Sequence, residues 1–367
     1  MPSRRSFLKL ASTLALGSVL PRATWSLDSH AGLALRQPGA RLQAGPDWPS
    51  GPDVHLARGA LGWGAPILSR PHPEGTLLGH VFPDEVVRVV REVVGLGMAY
   101  HSHVWYELEE GFVYYPSLQP VMNLPQIPLT NVPAEGVWTE ISTPFVDALA
   151  RPDPAAPVVY RLYYSAVFKI LETVTGADGQ PWYSIGMETQ ITMYAPAAAF
   201  RVIQPDELTP ISPEVDPAEK TIEVYLLEQA ISAFEGKREV YRLRISSGAN
   251  YFGEDGVTLL NGTPEGAHNI WAKRISRHMQ GGTVDAGYDV PGVGWVGYFS
   301  GNGAALHSTY WHNDFGIPKS HGCLNCRPAD AKWLFRWSAP NVPYAPGDIT
   351  VDWENRGTVV DLKVAHT

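Results

Sequence analysis

The chain has 367 residues, 44% of them hydrophobic, and carries 37 acidic against 28 basic side chains for a formal charge of −9. An acidic surface argues against nucleic acid or anionic lipid as a partner, since both reward basic patches. The length supplies material for more than one hydrophobic core, and nothing in the sequence sets the oligomeric state.

The N-terminus reads as an address. Ser3-Arg4-Arg5-Ser6-Phe7-Leu8-Lys9 is charged, and residues 10–20 form an apolar, small-residue run too short for a secure membrane span. Paired arginines before Phe-Leu-Lys make residues 1–22 a twin-arginine export signal, with the Tat export machinery as partner and the cell envelope as destination: the periplasm, the outer face of the cytoplasmic membrane or the wall. An uncleaved anchor is the alternative, because no clear A-x-A site follows. Removal of the segment would take away Arg4, Arg5, Lys9 and Arg22 and no acid, leaving the rest more acidic still.

Residues 23–55 are rich in Pro, Gly, Ala and polar residues and read as a linker. Short β-rich runs separated by turns follow at 75–79, 86–94, 104–108 and 111–113. With Trp105-Tyr106 and Gly111-Phe112-Val113 as late strands, residues 56–125 resemble a bacterial SH3-like module. A second copy is expected over 126–203, where residues 167–174, Gly176 and Trp182-Tyr183-Ser184-Ile185 echo the first without its Gly-Phe-Val ending. Such modules often bind wall peptides or position a catalytic domain, although their aromatics serve equally well as core. The Pro-containing stretch 204–217 reads as the linker to a last domain, 218–367.

That domain holds the most informative string, Ser320-His321-Gly322-Cys323-Leu324-Asn325, a short loop after Leu306-His307-Ser308-Thr309. A thiol attacks as the thiolate, so a catalytic cysteine needs neighbours that lower its pKa. His307, at the end of a buried strand, is placed to take the proton. A helix expected over 328–337 would favour the negative sulfur at its N-terminus. Gly322 lets the backbone turn sharply, so that the amides of Gly322 and Cys323 can face a developing oxyanion.

Histidine-Ser-Thr at 307–309 followed by Ser-His-Gly-Cys-Leu-Asn at 320–325 resembles the signature of the L,D-transpeptidases with a YkuD-type catalytic domain. Other pieces agree: residues 222–226, Gln229 and Phe234-Glu235-Gly236 look like that family's first hairpin, Ser246-Ser247-Gly248 like its next strand end, and Thr263-Pro264-Glu265-Gly266 like its T-P-x-G turn. The resemblance implies a mainly β chain, with a β-sandwich catalytic domain preceded by one or two small SH3-like β-barrels. It also implies Cys323 as nucleophile, His307 as general base and the Ser308 carbonyl orienting the imidazole. His321 and Ser320 would line the pocket, and Asn325 would hold the loop and help place the donor chain. Tyr288 resembles the lid tyrosine, and the amides of His321, Gly322 and Cys323 the oxyanion hole. The implied substrates are peptidoglycan stem peptides, donor and acceptor. The implied product is a 3→3 cross-link formed through a thioester, with D-alanine released and with neither metal nor organic cofactor. Water in place of the acceptor amine would make an L,D-carboxypeptidase.

Cys326 departs from the pattern, making Cys-Leu-Asn-Cys where the family has an apolar residue. It can be a packed small residue, a regulatory disulfide partner of Cys323, or half of a zinc site with His307, His312 and His321 nearby. Two rival functions stay open: a non-catalytic wall-binding protein, and a thiol-disulfide oxidoreductase using the Cys323 and Cys326 pair.

Overall fold

The computed structural model describes residues 48–188, 191–249, 251–252, 258–259, 262–282, 287–352 and 356–364. The twin-arginine segment and the linker through residue 47 lie outside the described residues. The fold is mainly β, and among the described residues a single α-helix, Pro328–Trp337, interrupts the strands.

Two small β units come first and share one pairing scheme. In the first, Leu56–Gly59 pairs with Val86–Arg88 and Leu118–Val121, Ala65–Leu68 with Leu77–Val81 and Phe112–Tyr114, and Ser102–Glu107 with Arg91–Ala99 and Phe112–Tyr114. In the second, Val137–Ile141 pairs with Val167–Thr175 and Phe200–Val202, Phe145–Leu149 with Val158–Tyr163 and Thr192–Pro196, and Pro181–Gly186 with Val167–Thr175 and Thr192–Pro196. A one-turn 3-10 helix precedes the last strand of each, Tyr115–Ser117 and Ala197–Ala199. Thr192–Pro196 thus stands where the Phe-Val strand of the first unit stands, with a different sequence doing the same pairing.

The C-terminal domain stacks two five-stranded sheets. The outer one runs through Arg238–Arg244, Ala230–Glu235, Lys220–Tyr225, Val359–Lys363 and Gly266–Asn269; the other runs through Leu324–Cys326, Ala305–Ser308, Tyr288–Tyr298, Ala272–Gly281 and Asp348–Thr350. Alternation does the sorting: in Lys220–Tyr225, Ile222 and Val224 are buried while Thr221 and Glu223 face outward. Ile222, Val224, Ile231, Leu306, Leu324, Leu334 and Trp337 share one core, closed by the helix. The stretch 204–217, read as a linker, is bound along that helix: Ile211 N–H donates to Arg336 O, Arg336 Nε to Thr209 O, and Lys332 pairs with Glu207.

The helix ends on a buried lysine. Lys273 is 1% exposed and its ammonium donates to the carbonyls of Phe335 and, at 2.7 Å, Ser338. Burial pushes its pKa down to about 7, so about half of the population is uncharged at neutral pH, and the amine can donate to both carbonyls in either form. Lys273→Met leaves two buried carbonyls without donors, at about 1–3 kcal/mol each. The variant is expected to unfold several degrees below wild type in a thermal scan at pH 7.

The second β unit is seated on the strand Tyr288–Tyr298. Gly292 has φ +70, and a Cβ there would lie 2.4 Å from the Phe168 ring. Ser276 Oγ donates to Val167 O beside it.

Candidate active site

The strands Ala305–Ser308 and Leu324–Cys326 pair in parallel, with Leu306 opposite Leu324 and His307 opposite Asn325. Parallel neighbours need a crossover, and residues 309–323 provide it, returning the chain to the same edge with the cysteine string at its end. Strand alternation then divides the residues. Leu306, Leu324 and Cys326 go into the sandwich core, while Ala305 and Cys323 pack on the other face, where His307, Cys323 and Asn325 line one pocket. Ser320, His321, Tyr288, Trp311 and Lys319 complete its polar and aromatic wall.

The scattered motifs converge on this loop. Ser246 N–H donates to Asn325 O and Asn325 N–H to Ser246 O, at 3.0 and 2.9 Å; Ser320 N–H donates to Ser247 O and Ala249 N–H to Ser320 O. Gln229 in turn grips Ser247, accepting from its N–H at 2.8 Å and donating to its hydroxyl at 2.7 Å. Thr263 Oγ1 accepts from Gly248 N–H at 2.8 Å. Residues far apart in sequence therefore brace the backbone that presents Cys323.

His307 is buried, and its Nδ1 lies 2.9 Å from the Ser308 carbonyl. A carbonyl can only accept, so Nδ1 carries the proton and Nε2 presents a lone pair. Burial pushes the imidazole pKa down to about 4, against the raising effect of the Ser308 hydrogen bond, so the ring is neutral at neutral pH. Trp311 covers it, with ring centroids 5.7 Å apart. Ser308 also contributes its hydroxyl, which accepts from Gly294 N–H at 3.0 Å.

Cys323 keeps an opening to the pocket but packs among Val293, Val296 and Ala305. Burial pushes its thiol up to about 11, only partly offset by a hydrogen bond from the Ala305 backbone. The expected lowering of its pKa is therefore not found, for two reasons. The strand Leu324–Cys326 stands between Cys323 and the helix, which begins at Pro328, so the helix N-terminus is not aimed at the sulfur. The imidazole is neutral and no hydrogen bond joins it to the thiol at rest. The resting pair is thiol and imidazole, so an attack by this sulfur would require its proton to leave, and His307 Nε2 carries the lone pair in the same pocket. Alkylation of Cys323 by iodoacetamide should accordingly be slow at pH 7 and climb about tenfold per pH unit toward the thiol pKa. A rate already level by pH 8 would contradict this resting state.

Gly322 has φ +115, a backbone state that favours glycine. Its N–H donates to Ser320 Oγ at 3.1 Å, and that hydroxyl donates to Cys323 O at 2.5 Å. Ser320 thus ties the turn together, and the Gly322 amide, expected to face an oxyanion, is engaged within the loop. The Tyr288 ring lies 5.1 Å from that of His321, and both line the pocket with Cys323.

His312 reaches the site through the folded crossover. Asp314 N–H donates to its Nδ1 at 3.3 Å, and the Asn325 amide lies 2.9 Å from its Nε2. Asn325 Nδ2 is the atom that faces this nitrogen, so the two side chains are held against each other. His312 thereby holds the Asn325 side chain in place beside the pocket. Only the fold reveals this, because the signal in sequence was one more histidine in an aromatic run.

The N-terminal units hold the crossover from behind. His101 Nε2 lies 2.5 Å from Asp314 Oδ1, Asp314 Oδ2 pairs with Lys319 at 2.9 Å, and Asn313 donates to Tyr115 O. Arg58, stacked 4.1 Å over Tyr163, pairs with Asp84 and reaches Tyr310 O, while Arg161 joins Asp84 to Asp147. Tyr160 donates to Asp289, next to Tyr288, at 3.0 Å.

Cys326 is fully buried among apolar residues, and burial pushes its thiol well above the usual range. Three positions apart across a strand, Cys323 and Cys326 point to opposite faces, which bars a disulfide without breaking the pairing. Both cysteines are free. Among the described residues no group of three His, Cys, Asp or Glu is arranged to hold a metal ion.

A β-sandwich that lodges a cysteine and an oriented neutral histidine on one pocket wall is the architecture of a thiol acyl-transfer domain. Residues 219–360 match the L,D-transpeptidase catalytic domain, YkuD, and the chain carries a domain of that family. It is similar in structure to an L,D-transpeptidase from Xylanimonas cellulosilytica (24% identity over 40% of this chain and 62% of that one, TM-score 0.27), to a mutant L,D-transpeptidase of Enterococcus faecium (22%, 40% and 50%, TM-score 0.30) and to an L,D-transpeptidase from Mycobacterium smegmatis (15%, 50% and 90%, TM-score 0.31). The chain thus spans less than two thirds of the first two, and these likenesses add nothing to the family match. No curated protein matches the chain.

Proposed function

We propose that the protein is an exported peptidoglycan L,D-transpeptidase. Cys323 attacks the carbonyl of the third residue of a tetrapeptide stem, its proton passing to His307 Nε2. Collapse of the tetrahedral intermediate breaks the bond to the terminal D-alanine, whose amine takes the proton from His307, and leaves a thioester. The side-chain amine of a neighbouring stem then attacks the thioester, giving a 3→3 cross-link and returning the thiol. The observation that carries this reading is the His307 tautomer, fixed by Ser308 O with its lone pair on the ring edge away from that carbonyl, in the pocket that holds Cys323.

The two N-terminal units serve in this proposal as SH3-like modules that hold the catalytic crossover in place. The twin-arginine segment supports export of the folded chain, and replacing Arg4 and Arg5 by lysine should retain the protein in the cytoplasm, read by fractionation.

Incubating reduced protein with tetrapeptide muropeptides and separating the products by mass spectrometry tests the reaction. Released D-alanine together with a 3→3 dimer is expected. D-Alanine with tripeptide monomer alone would make the enzyme an L,D-carboxypeptidase, and unchanged substrate would overturn both readings.

A further inference from the structure

A second cavity, of about 390 Å³, lies where the first β unit meets the catalytic domain. Its wall combines His101, Glu92 and Tyr115 from the first unit with Arg244, Phe315 and Arg327 from the catalytic domain. The crossover separates it from the active pocket: Trp311 and Lys319 line the latter, Asn313 and Phe315 this one. Arg327 directly follows Cys326, so the second cavity begins where the strand that carries Asn325 ends.

The charges here are unusual for so acidic a chain. Among the described residues neither Arg244 nor Arg327 makes an ion pair; Arg244 spends one N–H on His101 O, and the Arg327 guanidinium lies 4.9 Å from the Phe315 ring centroid. Each retains further donors in a fork suited to a carboxylate. His101, 8% exposed, has Nε2 fixed on Asp314 and leaves Nδ1 buried with no hydrogen-bond partner. With the proton on Nε2 facing that carboxylate, Nδ1 is an acceptor that calls for an N–H. Glu92 supplies the one acidic group, suited to an amine, and Tyr115 and Phe315 supply aromatic surface.

We propose that this cavity is a second peptide subsite that takes a carboxylate-terminated peptide end: the carboxylate against Arg244 and Arg327, a peptide N–H on His101 Nδ1, and an amine of the same ligand toward Glu92. The choice of a wall stem as ligand rests on the transpeptidase reading, since a stem ending in a diamino acid carries all three groups. The subsite would hold one stem peptide behind the crossover that presents Cys323.

The test uses the full chain with Cys323→Ala, so that no turnover intervenes, and follows the arginine Nε–H resonances by NMR. The resonances of Arg244 and Arg327 are assigned from their disappearance in Arg244→Lys and Arg327→Lys. Titration with a tripeptide stem ending in a diamino acid should shift both saturably, and its C-terminal amide should bind at least tenfold more weakly. Unmoved resonances, or equal binding of acid and amide, would overturn the proposal. Inorganic phosphate saturating the same shifts at no higher concentration would mark a bare anion site and overturn the peptide assignment. Failure of the transpeptidase reading would show separately, as absent acylation of Cys323 by a carbapenem in the wild-type chain.

Discussion

Cys323→Ala should form no acyl-enzyme with a carbapenem, whereas Cys326→Ala should acylate within a few-fold of wild type, both under reducing conditions and read by intact mass. The contrast follows from strand alternation. Cys323 opens to the pocket shared with His307, and Cys326, three positions on, is fully buried in the sandwich core beside Leu324. Removing the Cys326 sulfur leaves a small core cavity and costs stability on the order of 1 kcal/mol, without touching the pocket wall. A mechanism that needs both thiols for the attack would lose acylation in both variants, whereas a Cys326 that resolved the thioester would leave Cys326→Ala trapped as the acyl-enzyme with turnover lost. Loss of acylation in a folded Cys326→Ala would therefore refute the division of labour drawn from the strand.

The second large effect is expected at His307. His307→Asn should slow acylation by about 10²–10⁴-fold, the usual contribution of a positioned general base. The amide retains a group to meet Ser308 O while removing the lone pair at the Nε2 position. In the proposed mechanism the reactive form is neutral imidazole with neutral thiol in one pocket. The rate should hold level through neutral pH and fall in acid as the ring protonates near its pKa of about 4. The same shift has a sign for stability. The folded pKa lies below the ordinary 6.5, so the unfolded chain binds the proton first. The resulting loss of stability begins as pH falls below 6.5 and grows until pH passes about 4. His307→Asn should lack both the acid limb of the rate and that share of acid destabilisation. An unchanged acylation rate would remove His307 as base.

Most of the site was legible because its chemistry is local in sequence. His307 and Cys323 sit at the two ends of one crossover, and the helix over Pro328–Trp337 follows from its residue pattern. Proximity in sequence misled at one point: three residues of strand after Cys323 were enough to carry the helix N-terminus away from the sulfur, and burial then dominated the thiol. The Ser320 hydroxyl likewise captured an amide that the bare string offers to an oxyanion. What could not be read at all are contacts between units. His101 on Asp314, Tyr160 on Asp289 and Arg58 on Tyr163 join segments separated by more than one hundred residues, and no periodicity announces them. The role of His312 depends on which of its nitrogens a loop amide reaches, a detail fixed only by the folded turn.

The central claim is that Cys323 takes the acyl group of a tetrapeptide stem. Rapid acid quench of the reduced protein with a tetrapeptide stem, followed by peptide mapping, measures it directly. The account predicts a tripeptidyl thioester on the peptide containing Cys323, with one D-alanine released per adduct. An adduct on any other residue, or D-alanine released from Cys323→Ala at the wild-type rate, would contradict it.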